Sequence, residues 1–343
     1  MGWAKTYRSI VQYRPSMNKR LVSILIPCFN AECWIGQCIE SALAQTWAEK
    51  EVIVVDDGST DGSLKVIQSF GDRIRWETGP NRGGNVARNR LLDLSRGDWL
   101  QYLDADDYLL PDKIEKQMQF IEANPGVDVV FSRYIVETQI GGEIRQAVSL
   151  MPEPLDSWCL LMRWDLPQTG AVLWRKQAVL SVGGWKADQP CCQEHELYLR
   201  MLKAGHRFAY CTDYGAVYRQ WRDGSVCTND LSEVNRRRLE IINDAEKFLN
   251  INRAMSHERM YLTNQSRLEV ARLVWQYDRK FAVEIADTIH LSQPDFDPGG
   301  YGKRINYSAA YRHAYRVLGY QAAEILAMIA RKFSCFGRSQ EHQ

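Results

Sequence analysis

The chain has 343 residues, of which 45% are hydrophobic and 25% charged, a composition typical of a folded globular protein. Its formal net charge of +1 gives no overall field that favours nucleic acid as a partner. No apolar run reaches the roughly 18 residues that a transmembrane helix needs. The first twenty residues are polar and basic, unlike a signal peptide, and the nine cysteines lack disulfide-framework spacing, so we expect a cytoplasmic location.

From Leu21 onward, short apolar runs rich in β-branched residues alternate with segments of helical spacing. The predicted strands and helices of this part are, in chain order, LVSILIP, AECWIGQCIESALAQT, EVIVVDDGS, TDGSLKVIQSF, RIRWE, GGNVARNRLLDLS and DWLQYL. Such alternation predicts right-handed crossovers and a parallel sheet that helices cover on both faces.

After Pro111 the predicted elements continue with a helix over 112–123. They then comprise a strand in VDVVFSRYIVE with a hairpin at Gly141-Gly142, a strand and helix in GAVLWRKQAVLSVGGW, a helix in CCQEHELYLRMLKAG, and two strands, RFAYCT and GAVYRQW. Two glycines close the strand–helix unit, and Gly205 is the expected stop of the later helix.

Beyond about Asn229 the pattern becomes helical. We therefore predict an N-terminal extension over 1–20, an α/β domain over 21–228 and a helical C-terminal appendage over 229–343. One side of the last predicted helix is apolar, with Leu318, Ile325, Ile329 and Phe333, and Arg331 and Lys332 lie near its end. We expect this side to dock on the core; a helix lying on a membrane surface is the alternative.

Polar side chains follow three of the first four predicted strands, at the point where each strand ends. These residues are Asn30, Asp56, Asp57, Asp104, Asp106 and Asp107. Any one of the aspartates could be a helix cap or a turn former. Because ligands bind beyond the carboxyl ends of parallel strands, the joint pattern predicts a ligand site at this edge of the sheet.

Asp104 and Asp106 stand two positions apart at a strand end, where their carboxylates can converge on one hard cation such as Mg²⁺ or Mn²⁺. The cation would keep both groups ionised and would neutralise charge on a phosphate leaving group. Asp107 is expected to cap the helix that begins near Pro111 or to tighten the turn.

Five blocks of the sequence resemble those of the family-2 glycosyltransferases with the GT-A fold. They are VSILIPCFNAECWIGQCIESALAQTW, EVIVVDDGSTDGS, NRGGNVARNRLLDLSRGDWLQYLDADDYL, TGAVLWRKQAVLSVGGW and QEHELYLRML. The resemblance covers roughly residues 21–225. It implies an α/β fold with a mixed, mainly parallel sheet flanked by helices, and metal-assisted transfer of a sugar from a nucleotide-diphosphate donor, most often with inversion.

The resemblance also implies roles for single residues. The nucleotide site would be formed by Pro27, Phe29, Asn30, Asp57, Arg88 and Asp104. Asp57 would bind the base, Phe29 would offer a face for stacking, and Arg88 would lie near the nucleotide as a permanent cation. Asp104 would reach the ribose or the metal shell, and Asp106 the metal.

The family places its general base second in an acidic pair before LxLR. Here QEHELYLR aligns so that Glu194 is the base, with glutamate in place of the usual aspartate. His195 and Glu196 are titratable alternatives, and helical spacing turns His195 about 100° away from Glu194. Further acceptor or phosphate contacts are expected from Trp174, Trp185, His195, Trp221 and Ser225.

Two departures from the family pattern bear on the activity. Many members carry Tyr-Arg-x-His after the base helix, and this chain has Trp221 at the histidine position. The Gln-x-x-Arg-Trp signature and the membrane helices of processive members are absent. Transfer of a single sugar is therefore predicted, with a UDP-sugar as donor and a glycan, lipid-linked or small-molecule acceptor, in the cytoplasm or at the inner face of the membrane.

Two other functions compete with this interpretation. A non-catalytic nucleotide-sugar-binding protein on the same fold would accommodate the glutamate replacement and the missing histidine. A nucleotidyltransferase can use similar aspartates at strand ends, but PCFNAECW has no glycine before Gly36, which argues against its phosphate loop.

Overall fold

The computed structural model describes residues 21–140, 142–151, 156–220, 230–299 and 307–340. Nine strands form one sheet: β1 Val22–Cys28, β2 Lys50–Asp56, β3 Arg75–Thr78, β4 Trp99–Tyr102, β5 Tyr108–Leu109, β6 Val129–Ile140, β7 Glu143–Val148, β8 Val172–Arg175 and β9 Phe208–Gln220. Their order is β3-β2-β1-β4-β8-β6-β9-β5, and β7 pairs with β6.

Helices lie between and after these strands. They are α1 Ile35–Leu43, α2 Ser63–Gln68, α3 Gly84–Leu94, α4 Lys113–Ala123, α5 Ser157–Met162, α6 Lys176–Ser181, α7 Gln193–Lys203, α8 Leu231–Ile251, α9 His257–Val274, α10 Arg279–Ser292 and α11 Ala309–Gln340. Gly319 interrupts α11 with a φ of +80°.

The first half of the sheet is wholly parallel, with β1 between β2 and β4 and with β3 outside β2. Alternate side chains of β1 face opposite sides: Ile24 and Ile26 join one apolar core cluster and Leu25 joins the other. The predicted sheet covered on both faces is therefore confirmed. The second half is mixed, since β8 is antiparallel to β4 and β6, whereas β6 and β9 run parallel. The α/β fold with a mixed, mainly parallel sheet is confirmed.

The two strands predicted in RFAYCT and GAVYRQW are one strand, β9. Its register against β6 shifts opposite Ser132 and Arg133, so Thr212, Asp213 and Gly215 are accommodated as irregularities instead of ending the strand. The predicted hairpin is present as the antiparallel pair of β6 and β7, although Gly141 lies outside the described residues.

Lys113, the first residue of α4, is 2% exposed, and its Nζ donates a hydrogen bond to Oε1 of Gln101. Burial holds the pKa of this amine well below its usual range. The unfolded chain therefore binds more protons than the native protein as the pH rises toward 10.5, the ordinary pKa of lysine, so native stability should rise with pH in this window.

We compare the unfolding free energy of the wild-type protein with that of the Lys113→Met variant. As the pH rises toward 10.5, this difference should shift in favour of the wild type. The shift is at most about 1.4 kcal/mol per pH unit and applies over the range in which the native amine is neutral. Urea titrations of both proteins at several pH values between neutral and alkaline measure this difference. A difference that stays constant with pH would show that Lys113 keeps its proton in the native state.

From residue 230 onward the described elements are helices, and they share a core with the sheet. Leu239 and Ala245 of α8 join the same apolar cluster as Trp174 of β8. Among the described residues, no helix combines the length and apolar character that crossing a bilayer requires.

The docking predicted for the last helix is wrong in its orientation. Tyr311, Ala314, Tyr320 and Ala323 form the buried side of α11, whereas Leu318, Ile325 and Ile329 are 60%, 43% and 42% exposed. Phe333 and Lys332 have side chains outside the described ones.

Candidate active site

The carboxyl ends of β1, β2 and β4 lie side by side because these strands are parallel neighbours. Cys28 is paired with Asp56 across β1 and β2, and Leu25 with Tyr102 across β1 and β4. The polar residues that follow each strand therefore gather at one edge of the sheet, as the sequence pattern predicts.

Asp57 organises the loop that leads into α3. Its Oδ1 accepts a hydrogen bond from the backbone N–H of Arg82 and its Oδ2 one from Gly83, both at 2.9 Å. The carboxylate is 7% exposed. Asp57 thus holds the loop before α3, a role that the sequence did not predict. If Asp57 binds a nucleotide base, it would do so with the carboxylate lone pairs that these two hydrogen bonds leave unused.

Phe29 and Asn30 follow β1 at the same edge. Phe29 is 49% exposed, so a large aromatic face is open there. Asn30 adopts a φ of +49°, and its Oδ1 accepts a hydrogen bond from the N–H of Thr60 at 2.8 Å. Pro27 is partly buried just before them. An open aromatic face beside a braced turn suits the stacking of a flat ring.

Gly58 has no room for a side chain. Its φ is +75°, and an added Cβ would lie 2.6 Å from the N of Asn81 and 2.9 Å from the O of Gly79, both backbone atoms. The Gly58→Ala variant should therefore displace the 79–83 loop, cost about 1–3 kcal/mol of stability and weaken nucleotide binding. Calorimetric unfolding and nucleotide titration measure both effects.

The Gly36→Ala variant is the matched control for that substitution. An added Cβ there meets only Val66 Cγ1 at 3.6 Å, an ordinary contact, and Gly36 is inside α1. It should leave nucleotide affinity unchanged and stabilise slightly. Equal nucleotide affinities in the two variants would contradict the role given to the loop.

Arg88 is the buried centre of the site, with 7% exposure. Its Nη2 donates to Oδ1 of Asp104 at 2.8 Å and its Nη1 to Oε1 of Gln193 at 2.7 Å. Burial alone would lower its pKa, but the charges of Asp104 and Glu194 raise the pKa above its usual value. Arg88 thus connects the end of β4 to the start of α7.

Two neighbours of Arg88 on α3 hold the segment that precedes α7. Nδ2 of Asn85 donates to the carbonyls of Lys186 and Gln189, at 2.8 and 3.0 Å. Asn89 exchanges hydrogen bonds with the backbone N–H and C=O of Trp185. Asn85 and Asn89 stand four positions apart, so one face of α3 positions the segment before α7.

Asp104 and Asp106 remain partly buried after these contacts. Burial and the nearby charge of Asp104 raise the pKa of Asp106 to about 6. Two carboxylates that repel each other beside solvent fit a hard divalent cation, which takes few protein ligands and fills its shell with water and phosphate oxygens. Within the described ranges, no point is shared by three or more histidine, cysteine or acidic side chains in a metal-binding arrangement.

Of the two roles expected for Asp107, a helix cap or a tightened turn, the structure shows the second. Asp112 precedes α4, and its side chain makes no cap hydrogen bond at that helix start. Instead, Oδ1 of Asp107 accepts a hydrogen bond from the N–H of Arg219 at 2.9 Å. Its backbone N–H does close the turn onto the carbonyl of Asp104. The prediction of a helix cap is wrong, and Asp107 ties β9 to the aspartate turn.

The contacts of Arg219 could not be foreseen from the sequence. Its side chain is 5% exposed, pairs with Glu137 at 3.0 Å and donates to the carbonyl of Asp106 at 3.0 Å. The guanidinium lies over the rings of Tyr108 and Trp34. A buried arginine thus holds the turn at Asp106, while Arg88 holds Asp104. One feature of the sequence could have drawn attention to Arg219. It stands two residues before Trp221 in the run Tyr-Arg-Gln-Trp, which differs from the family's Tyr-Arg-x-His.

Glu194 lies in the first turn of α7 and is partly buried. Its Oε1 accepts a 2.6 Å hydrogen bond from the hydroxyl of Thr169, which is fully buried in the short 3-10 turn before β8. The other alternative on this helix, Glu196, is engaged by Arg200 through bonds of 2.7–3.0 Å. Glu196 is thus held in an ion pair, whereas Glu194 is oriented by a neutral hydroxyl donor.

Removing the Thr169 hydroxyl should leave Glu194 without its orienting donor. We expect Thr169→Val to lower kcat about ten-fold with little change in KM, since a single hydrogen bond to a charged group contributes about 1.5–3 kcal/mol. Thr169→Ser keeps the donor and should restore most of the rate. Steady-state kinetics on both variants provide the measurement, and equal rates for Val and Ser would contradict the role.

His195 points away from Glu194, as helical spacing predicts, and stacks on Trp164 with ring centroids 3.7 Å apart. The guanidinium of Arg238, in α8, lies over the Trp164 ring, 5.2 Å from the ring centroid. His195 therefore links the start of α7 to the helical region.

Other predicted acceptor contacts are not at the surface. Trp174 is fully buried and Trp185 is 2% exposed, because both pack in the core, where Trp174 stacks on Tyr198 and Trp185 meets Tyr102 edge-on. The prediction that they face an acceptor is wrong. Trp221 and Ser225 lie outside the described residues.

Comparison with known proteins finds a similarity to one family. Residues 23–165 match the model described as glycosyl transferase family 2. An uncharacterized glycosyltransferase of Haemophilus influenzae is 41% identical over 112 residues, 32% of this chain and 45% of that protein. The Escherichia coli UDP-Glc:alpha-D-GlcNAc-diphosphoundecaprenol beta-1,3-glucosyltransferase WfaP is 29% identical over 218 residues, 63% of this chain and 83% of that protein. The chain spans less than half the length of the Haemophilus relative.

Solved structures show the same fold. S. aureus TarS 1-349 in complex with UDP-GlcNAc superposes with a TM-score of 0.56 at 18% identity, over 80% of each chain. The mannosyltransferase PcManGT from Pyrobaculum calidifontis, in complex with GDP-Man and Mn²⁺, gives 0.52 at 16% identity, over 92% of this chain and 87% of that one. Residues 23–165 are therefore similar to glycosyl transferase family 2, and the chain shares the fold of these solved glycosyltransferases.

Proposed function

We propose that the chain is a metal-dependent, inverting glycosyltransferase that moves a single sugar from a nucleotide-diphosphate sugar to a hydroxyl group of a growing glycan. The observation that carries this proposal is the buried Arg88, which hydrogen-bonds Asp104 at the end of β4 and Gln193 beside Glu194 at the start of α7. Such a reaction needs one carboxylate near the leaving group and one near the acceptor. Through Arg88, Asp104 and the helix start that carries Glu194 are held in fixed positions relative to each other.

The donor nucleotide would lie over the ends of β1 and β2. The exposed ring of Phe29 offers a stacking face, and Asp57 stands beside it with acceptor oxygens. A uridine donor is supported by WfaP, a UDP-Glc-dependent glucosyltransferase, and by the UDP-GlcNAc complex of TarS, whereas PcManGT holds GDP-Man. We therefore propose a UDP-sugar as the donor.

Asp104 and Asp106 would hold Mn²⁺ or Mg²⁺, and a cation bound there supplies positive charge to the diphosphate as it leaves. The protein's own contribution is to fix the two carboxylates. Arg88 orients Asp104, and Arg219 holds the carbonyl of Asp106. The Mn²⁺ in the PcManGT complex supports a metal in this fold.

Glu194 would remove the proton from the acceptor hydroxyl. Thr169 occupies Oε1 of this carboxylate, which leaves Oε2 to accept the proton. The attacking oxygen then reaches the anomeric carbon from the face opposite the diphosphate, so the configuration inverts. A lipid-linked glycan is the acceptor class that we propose, supported by the diphosphoundecaprenol substrate in the name of WfaP.

A thermal-shift screen of nucleotide sugars with and without Mn²⁺ tests the proposal. A donor at about 100 times its Kd should add about 2.7 kcal/mol of stability, for one base class only and only with metal. Stabilisation without turnover in a subsequent hydrolysis assay would favour a non-catalytic nucleotide-sugar-binding protein. No stabilisation by any donor would contradict the proposal.

A further inference from the structure

The short 3-10 turn before β8 carries the hydroxyl that orients Glu194. Its residues, Thr169–Ala171, are all buried, and the Thr169 hydroxyl donates to Oε1 of Glu194 at 2.6 Å. A buried carbonyl that water cannot reach needs a donor from the protein. The side chains that supply such donors to this turn therefore set the place of the Thr169 hydroxyl.

Gln101 of β4 supplies the donor in the middle of the turn. Its side chain is fully buried, and its Nε2 donates to the carbonyl of Gly170 at 3.0 Å and to that of Tyr102 at 2.6 Å. Its Oε1 accepts a hydrogen bond from Nζ of Lys113. Because Lys113 engages the acceptor oxygen, the NH₂ group of the amide is directed to the turn. Gln101 is thus held in one orientation, and it holds the residue next to Thr169.

Other buried side chains hold the two ends of the same segment. Nε2 of Gln117, on α4, donates to the carbonyl of Ala171 at 3.1 Å. The hydroxyl of Tyr198, on α7, donates to the carbonyl of Pro167 at 2.8 Å. Tyr198 is four residues after Glu194 and lies on the same face of α7. That face of α7 therefore contacts the segment at two points.

Gln101 also connects this turn to the aspartates. It stands three residues before Asp104, on the strand that leads into the aspartate turn. We propose that Gln101 is a positioning residue for the proton transfer: its amide keeps the Thr169 hydroxyl against Glu194 and fixes that pair relative to the end of β4. This role rests on the proposed function, in which Glu194 takes the acceptor proton. A misplacement of about 1 Å can cost about a hundred-fold in rate, so a buried amide remote from the reacting atoms can matter.

Loss of the Gln101 amide should slow transfer without weakening donor binding, which would use the ends of β1 and β2. We expect Gln101→Met to lower kcat about ten-fold and to change the donor KM less than about two-fold. Gln101→Glu keeps an acceptor for Lys113 but has no N–H to donate to Gly170, and it should lower kcat similarly. Steady-state kinetics, at a temperature where circular dichroism shows each variant folded, measure both constants.

A double-mutant cycle with Thr169→Val separates positioning from general damage. If Gln101 acts through Thr169, the Gln101→Met/Thr169→Val double variant should have a kcat close to that of Thr169→Val alone, about ten-fold below the wild type. Independent effects would multiply to about 100-fold. Amide hydrogen exchange at Gly170 should also be faster in Gln101→Met than in the wild type, and this measurement needs no sugar transfer.

Gln45→Met is the matched control. Gln45 is 3% exposed, and its amide bonds to the carbonyls of Ser41 and Leu110 and to the N–H of Ile114, all outside the Thr169 turn. This variant should lose stability but keep the kcat and the Gly170 exchange rate of the wild type.

Three results would each overturn the inference: equal kcat values for Gln101→Met and Gln45→Met, multiplied losses in the double variant, or unchanged exchange at Gly170. A wild-type protein that transfers no sugar from any donor would instead contradict the proposed function, and the role of Gln101 in proton transfer with it.

Discussion

Glu194→Gln should lower kcat for sugar transfer by about 10²- to 10⁴-fold, with the dissociation constant of the donor nearly unchanged. The amide keeps the size of the side chain and can still accept the Thr169 hydrogen bond, but it cannot take the proton of the acceptor hydroxyl. Pre-steady-state and steady-state transfer rates, together with a nucleotide titration, separate the loss of chemistry from a loss of binding.

Glu196→Gln is the matched control on the same helix. Its carboxylate is bonded to Arg200, which also donates to the carbonyls of Val182 and Gly184, so the local structure should tolerate the change. Activity close to wild type is expected. A collapse of activity in Glu196→Gln with full activity in Glu194→Gln would move the base to Glu196.

Arg88→Met should destabilise the protein by about 3–5 kcal/mol and also abolish efficient transfer. Removal of one partner from a buried ion pair leaves Asp104 as an uncompensated charge, which costs far more than the loss of a surface pair. It also releases Gln193, and with it the start of α7 that carries Glu194. Chemical denaturation and transfer kinetics measure the two losses.

Arg90→Met provides the comparison within α3. Arg90 pairs with Glu77, and their side chains are 49% and 42% exposed, so its loss should cost little stability and leave transfer intact. Arg88→Lys keeps the charge but not the fork of donors, and it should retain part of the stability with weak activity. If Arg88→Met were as stable as Arg90→Met, the central role of Arg88 would be wrong.

Periodicity and strand-end chemistry made much of this site predictable. The ends of β1, β2 and β4 meet because the strands are adjacent and parallel, and that follows from alternating strands and helices. The positions of Asp104 and Asp106 at a strand end could therefore be read from local sequence, whereas Glu194 was predicted from the family resemblance.

The residues that the sequence did not reveal have partners far away in the chain. Arg219 binds Gln37, Glu137 and the backbone of Asp106, across separations of 182, 82 and 113 residues. No local pattern encodes such contacts. Trp174 was misplaced for a related reason, because an aromatic side chain serves equally well in a core and in a sugar site, and the sheet's packing decides between them.

The rotation of α11 shows the same limit. Its apolar side was expected to be buried, but one buried carboxylate, Glu324, and its partner Arg272 on α9 turn the opposite side inward. Polar contacts of this kind between distant helices outweigh the hydrophobic pattern of a single helix.

Time-resolved NMR of the anomeric proton is the most direct test of a single displacement assisted by Glu194. With an α-linked UDP-sugar and Mn²⁺, the sugar first released to water or to an acceptor should have the β configuration, and Glu194→Gln should suppress its appearance. A first product with the α configuration would contradict the proposed arrangement of base and leaving group on opposite faces of the sugar.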